Sequence, residues 1–173
     1  CTRQGHVLDD AILTQFETED YMLVVNAGMG PVIADHLRSQ RLTSQTVITD
    51  LSDQVGKIDL QGPRAGQIMS RLISHPEKFF DHLPYFACKG RIPVSKSPVH
   101  LQDTTPILLS RSGYTGEFGF EIFVQPQHLA RVWTLILETG QEDGLLPCGL
   151  AARDSLRTGA VLPLSHNDIG DWP

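Results

Sequence analysis

Two adjacent carboxylates, Asp9 and Asp10, sit in an otherwise apolar run near the start of the chain. A carboxylate held in such a run is costly unless it is hydrogen-bonded or put to use. In a strand, alternation would send the two groups to opposite faces, one to solvent and one to the interior or a cleft. The alternative is a strand end with both groups solvated. A second chemically rich stretch runs Ser110-Arg111-Ser112-Gly113-Tyr114-Thr115-Gly116-Glu117-Phe118-Gly119-Phe120-Glu121. Its glycines let a ligand approach the backbone closely. Tyr114 offers an aromatic face and a hydroxyl suited to a flat heterocycle. Glu121 can accept two hydrogen bonds from an amino-amidine edge. A hairpin loop with a solvated Glu121 is the plainer reading. In a third stretch, Pro147 to Arg157, Arg153 and Arg157 are four apart and share a helix face. Two guanidinium groups there could clamp a carboxylate, or Asp154 could hold one of them in a structural ion pair.

Other chemistries lack their signals. No dinucleotide fingerprint or phosphate loop is present, and no GxSxG elbow. The histidines show neither HxH nor HExxH spacing. Cys1, Cys88 and Cys148 are widely spaced and form no CxxC ligand pair. They predict no disulfide framework, so a reducing, cytoplasmic setting is expected. The formal net charge of -6 argues against binding nucleic acid or an anionic membrane. No apolar run approaches the roughly 18 residues that cross a bilayer, and no hydrophobic leader follows Cys1.

These groups need elements to position them. Residues 7–16 and 21–26 read as two strands joined by the polar turn Glu17-Thr18-Glu19-Asp20, a hairpin. Gly28-Met29-Gly30-Pro31 opens a helix to about Gln40, with Pro31 suited to its first turn. Strands are expected at 46–50 and 57–60. The turn Gln61-Gly62-Pro63 leads into a helix with Ala65, Ile68, Met69 and Leu72 as its apolar stripe. A further strand is placed near 90–94. Strands at 107–111 and 118–124 flank the glycine-rich turn. A helix after Gln125-Pro126 carries Leu129, Val132, Trp133, Ile136 and Leu137, and a last helix spans about 150–157. Intermixed strands and helices with antiparallel hairpins predict an α+β fold, not a doubly wound parallel one.

The three segments together resemble the aminomethyltransferase family, the T-protein of the glycine cleavage system. Residues Gly5-His6-Val7-Leu8-Asp9-Asp10 match its acidic strand, and Val24-Val25-Asn26-Ala27 match a Val-Val-Asn-Ala strand end. Gln61-Gly62-Pro63 matches a Gln-Gly-Pro turn. Ser110 to Glu121 follows the Ser-Arg-Thr-Gly-Tyr-Thr-Gly-Glu-x-Gly-(Phe/Tyr)-Glu motif with Ser112 for Thr, and Pro147 to Arg157 follows Pro-x-Gly-Leu-x-Ala-Arg-Asp-x-Leu-Arg. The matches keep family order across nearly the whole chain. Departures are Thr14 for a Tyr, Thr158-Gly159-Ala160-Val161 for Leu-Glu-Ala-Gly, and His166-Asn167-Asp168-Ile169 for Gly-(His/Gln)-Asp-Ile.

The resemblance implies ferredoxin-like subdomains with mixed or antiparallel sheets and packed helices, the folate-binding fold of the T-protein. Residues 1–50 would be the remainder of a first α+β subdomain and 51–173 a second. Both chain ends read as cut, with the family's N-terminal segment and C-terminal barrel absent. By position, the resemblance makes Asp10 the catalytic carboxylate and Asn26, Tyr114, Glu121 and Arg153 the folate contacts. The cofactor would be tetrahydrofolate, and the partner a lipoylated carrier protein, the H-protein of glycine catabolism. The implied reaction moves an aminomethyl carbon from the lipoyl arm to tetrahydrofolate and releases ammonia. The same superfamily also holds folate-dependent demethylases and non-catalytic folate-binding accessory proteins.

Overall fold

The computed structural model describes residues 1–40, 45–80, 83–170 and 172. Asp171 and Pro173 lie outside the described residues. Among the described residues the fold is α+β, with five α-helices and antiparallel sheets. The chain divides into two compact units, Cys1–Ser52 with Pro163–Pro173, and Asp53–Leu162. The Val7 N–H donates to the Gly170 carbonyl at 2.8 Å.

The first unit is built on a hairpin of β1 (Ala11–Glu17) and β2 (Asp20–Val25), paired antiparallel with Ala11 opposite Val25. A register shift between Gln15 and Glu17 lets the short polar turn close the hairpin. From the end of β2 the Met29 N–H reaches back to the Asn26 carbonyl at 3.0 Å and turns the chain into α1 (Gly30–Gln40). Pro31 lies in the first turn of α1, where no N–H partner is needed, and Ile33 and Ala34 are its buried residues. The strand expected at 46–50 is not formed. There the Ser52 N–H and hydroxyl both donate to Asp50 Oδ1, at 2.9 and 2.6 Å, forming a local turn instead. Those bonds from Ser52 hold the exposed Asp50 carboxyl below its usual range.

The second unit contains β3 (Gly56–Gln61), α2 (Ala65–Leu72), α3 (Pro76–Phe79), β4 (Cys88–Lys89), β5 (Val99–His100), β6 (Pro106–Ser110), β7 (Gly119–Val124), α4 (Leu129–Gly140) and α5 (Leu150–Gly159). The sheet order is β3-β7-β6-β4, all antiparallel, with β5 pairing β6. Alternation along β3 and β7 turns Ile58, Leu60, Phe120, Ile122 and Val124 into one core. Ala65, Ile68, Met69 and Leu72 of α2 fill it at helical spacing, with Val132 and Ile136 of α4. Trp133, expected on that stripe, is turned out and exposed, because it follows Val132 by only one residue. Each of the larger of these core side chains contributes about 1.5–3 kcal/mol of burial free energy.

The strand expected near 90–94 is not formed either. The short β4 precedes it, Gly90 bends the chain at φ +118, and Pro93 has no N–H for a ladder. Residues Val94–Lys96 form a 3-10 turn instead. Among the described residues no helix is long and apolar enough to cross a membrane, and no group of His, Cys, Asp and Glu could hold a metal ion.

Candidate functional site

In the first unit the acidic pair lies just before β1, in backbone outside the strand. The pleat therefore does not separate the two carboxylates, contrary to the alternation expected for a strand. Both converge on one side chain. Asn26 Nδ2 donates to Asp9 Oδ1 and to Asp10 Oδ1, each at 2.7 Å. The Asn26 N–H also donates to Asp9 Oδ2 at 3.0 Å. Asp9 is thereby held on both oxygens. Asp10 is exposed and held by one, and its Oδ2 takes no partner among the described residues. Asn26 commits its amide hydrogens to the acidic pair, which leaves its Oδ1 for a ligand.

In the second unit the glycine-rich turn joins β6 to β7 and is stapled by Gln61 at the end of β3. Gln61 Nε2 donates to the Ser112 carbonyl at 3.1 Å and to the Phe120 carbonyl at 3.2 Å. The glycines are needed for close approach. A Cβ on Gly113 or Gly119 would stand 2.2 or 2.1 Å from Gln61 Oε1. That oxygen is buried and has no hydrogen-bond partner among the described residues.

The turn presents Tyr114 half-buried, its hydroxyl 3.4 Å from the Leu162 carbonyl. The Arg153 guanidinium, from α5, lies over the Tyr114 ring at 5.1 Å from its centroid. A parallel contact at the base of the turn puts Arg111 over Phe118 at 4.0 Å. Arg157 takes the structural role that the sequence left open. It is buried, and its guanidinium bonds Asp154 Oδ1 at 2.7 and 2.8 Å and the Leu162 carbonyl at 3.3 Å. Only Arg153 of the two remains exposed for a ligand.

Glu121 is 6 % exposed, not a solvated hairpin residue. One oxygen accepts from Lys57 Nζ, and the other accepts from the Ser112 hydroxyl at 2.5 Å. Ser112 Oγ in turn lies 2.7 Å from Ser110 Oγ. Asp59 stands directly opposite Glu121 in the β3–β7 ladder, and Lys57 Nζ is 3.5 Å from Asp59 Oδ1. Loss of hydration and the neighbouring Glu121 push the Asp59 carboxyl up, against the pull of Lys57. Sequence reasoning does not pick out Lys57, Asp59, Gln61 and Ser112 as members of this group. The alternation Lys57-Ile58-Asp59-Leu60-Gln61 carried the signal, since it gives β3 one apolar and one polar face.

Tyr114, Glu121 and Arg153 thus belong to one unit, and Asp10 and Asn26 to the other. Comparison with known proteins shows the family. Residues 1–172 match the model of the GCVT N-terminal domain family. The chain is similar to aminomethyltransferase of Bacillus mycoides (strain KBAB4), 38% identical over 169 residues. It is similar to the enzyme of that name from Alkaliphilus metalliredigens (strain QYMF) at 37%. In each case the match takes in 98% of this chain and 43% of the relative, so the chain spans less than half their length. The crystal structure of glycine cleavage system aminomethyltransferase T from Bartonella henselae superimposes with a TM-score of 0.74 at 29% identity, over 96% of this chain and 40% of that one. A heterotetrameric sarcosine oxidase from Corynebacterium sp. U-96 shares the fold alone, with a TM-score of 0.60 at 15% identity over 82% of this chain and 65% of that one.

Proposed function

The chain belongs to the GCVT N-terminal domain family, and from that premise we propose that it is the folate-binding part of a tetrahydrofolate-dependent aminomethyltransferase of glycine cleavage. The substrate is an aminomethyl group on the lipoyl arm of a carrier protein, and the setting is cytoplasmic. The observation that carries this reading is the Asn26 clasp, which holds Asp10 by one oxygen and leaves the other exposed. A carboxylate anchored in this way is poised to act on a ligand without first losing side-chain freedom.

Tetrahydrofolate supplies the nitrogens that accept the carbon. Sulfur leaves as the lipoyl thiol and nitrogen leaves as ammonia, so no oxidant or reductant is needed. Asp10 orients the reacting nitrogen and offsets positive charge developing at the transferring carbon. The available donor set fits a folate. Glu121 suits the amino-amidine edge of a pterin. Tyr114 suits a flat ring, and Arg153 suits a carboxylate or the adjoining ring system.

The second unit supports a ferredoxin-like subdomain, because β3-α2-β6-β7-α4 with strand order β3-β7-β6 follows that pattern. The test is methylenetetrahydrofolate formation by the intact protein with aminomethyl-loaded carrier, ammonia being counted. One ammonia per folate product is expected. Folate binding without turnover would favour the accessory reading, and turnover only with an N-methyl donor would favour a demethylase.

A further inference from the structure

We propose that Lys57 and Asp59 are positioning residues for Glu121, holding its carboxylate in the one orientation that meets the planar donor edge of a pterin. The inference rests on the reading of Glu121 as a folate contact and concerns residues that the reading does not use.

Glu121, Asp59 and Ser110 form a row across three adjacent strands, because Asp59 pairs Glu121 and Glu121 pairs Ser110 in the ladders. The thiol of Cys88, opposite Ser110, extends the row to the fourth strand. Side chains directly opposite in antiparallel strands share a face, so this is a polar strip on a sheet whose other face is apolar core. Within the strip Glu121 is pinned at both ends. Lys57 Nζ takes Oε1 and Ser112 Oγ takes Oε2, so the carboxylate plane cannot turn without breaking one of the two bonds. Each oxygen keeps a further lone pair for an incoming donor.

Among the described residues Lys57 is the one cation in contact with Glu121, and it also leans on Asp59. The Cys88 thiol at the far end of the strip is the other titratable group in the row, and burial pushes it up. A carboxylate this buried without a paired cation is strongly disfavoured. Lys57 therefore supplies charge balance and aim together. Asp59 Oδ1, 3.5 Å from Lys57 Nζ, fixes that cation beside Glu121.

The experiment is a double-mutant cycle on the affinity of the full chain for 5-formyltetrahydrofolate, read by calorimetry. Lys57→Met is expected to weaken binding about tenfold, Lys57→Arg to restore most of it, and Asp59→Asn to weaken it about threefold. In a Glu121→Gln background, Lys57→Met should change affinity less than about twofold, because the residue through which it acts is already lost. A purely structural Lys57 would add its effect in both backgrounds. If Lys57→Met folds poorly by circular dichroism, Asp59→Asn with and without Glu121→Gln completes the same cycle. If Glu121→Gln weakens binding while the Lys57 and Asp59 variants match wild type, the positioning role is overturned and the folate contact stands. Unchanged affinity in Glu121→Gln would remove the folate contact itself, and the positioning role with it.

Discussion

The two units hold their candidate residues by different means. In the second, Glu121 is carried on a strand whose six residues are all buried, with a continuous apolar core beneath it. In the first, Asp10 is exposed and hangs on a hairpin with no buried residue in either strand. Core packing fixes the strand that carries Glu121, whereas four hydrogen bonds from one asparagine fix the acidic pair. Rigid positioning can therefore come from burial or from a local polar clasp, and the two respond differently to mutation.

Truncation in the core should separate them most sharply. Phe120→Ala removes a side chain that is 1 % exposed and packed against Phe80 and Phe118. A loss of about 3–5 kcal/mol is expected in chemical denaturation. A loss under about 1 kcal/mol would show that the second unit's core is not what holds it.

A smaller effect should appear in pH dependence. The Asp59 carboxyl is raised above 3.8, so the folded state binds its proton more tightly than the unfolded state. Its contribution to stability therefore falls as pH rises from 3.8 through the raised value, and stays lost above it. Asp59→Asn removes this dependence. The variant should gain on wild type across that window in denaturation midpoints and keep a constant difference at higher pH. A difference that moves the other way contradicts the raised Asp59 carboxyl.

The smallest effect belongs to the hairpin surface. Leu13 is 65 % exposed on β1, and Leu13→Ala should shift stability by no more than about 0.5 kcal/mol. A larger loss would mean that the first unit has a core of its own around that side chain.

Much of this was legible in the sequence, because the periodic signals were strong. The stripe Ala65, Ile68, Met69 and Leu72 and the strands flanking the glycine-rich turn needed only their apolar spacing. The strands expected at 46–50 and 90–94 failed for local reasons. Ser52 bonds to Asp50 in a turn, and Pro93 cannot join a ladder. The acidic pair was visible, but its convergence on Asn26 was not, since residues 17 and 16 positions apart meet only after the hairpin folds. The partners of Glu121 were hidden in the same way. Lys57 is 64 residues away, and cross-strand register rather than local pattern brings it into contact.

As proposed above, Asp10 carries the chemistry and the remaining candidates bind. The most direct test of that division is Asp10→Asn in the intact protein, with folate affinity and transfer turnover measured on the same preparation. Affinity within about threefold of wild type and turnover lowered about 10²–10⁴-fold is the predicted result. Turnover within about threefold of wild type would contradict it.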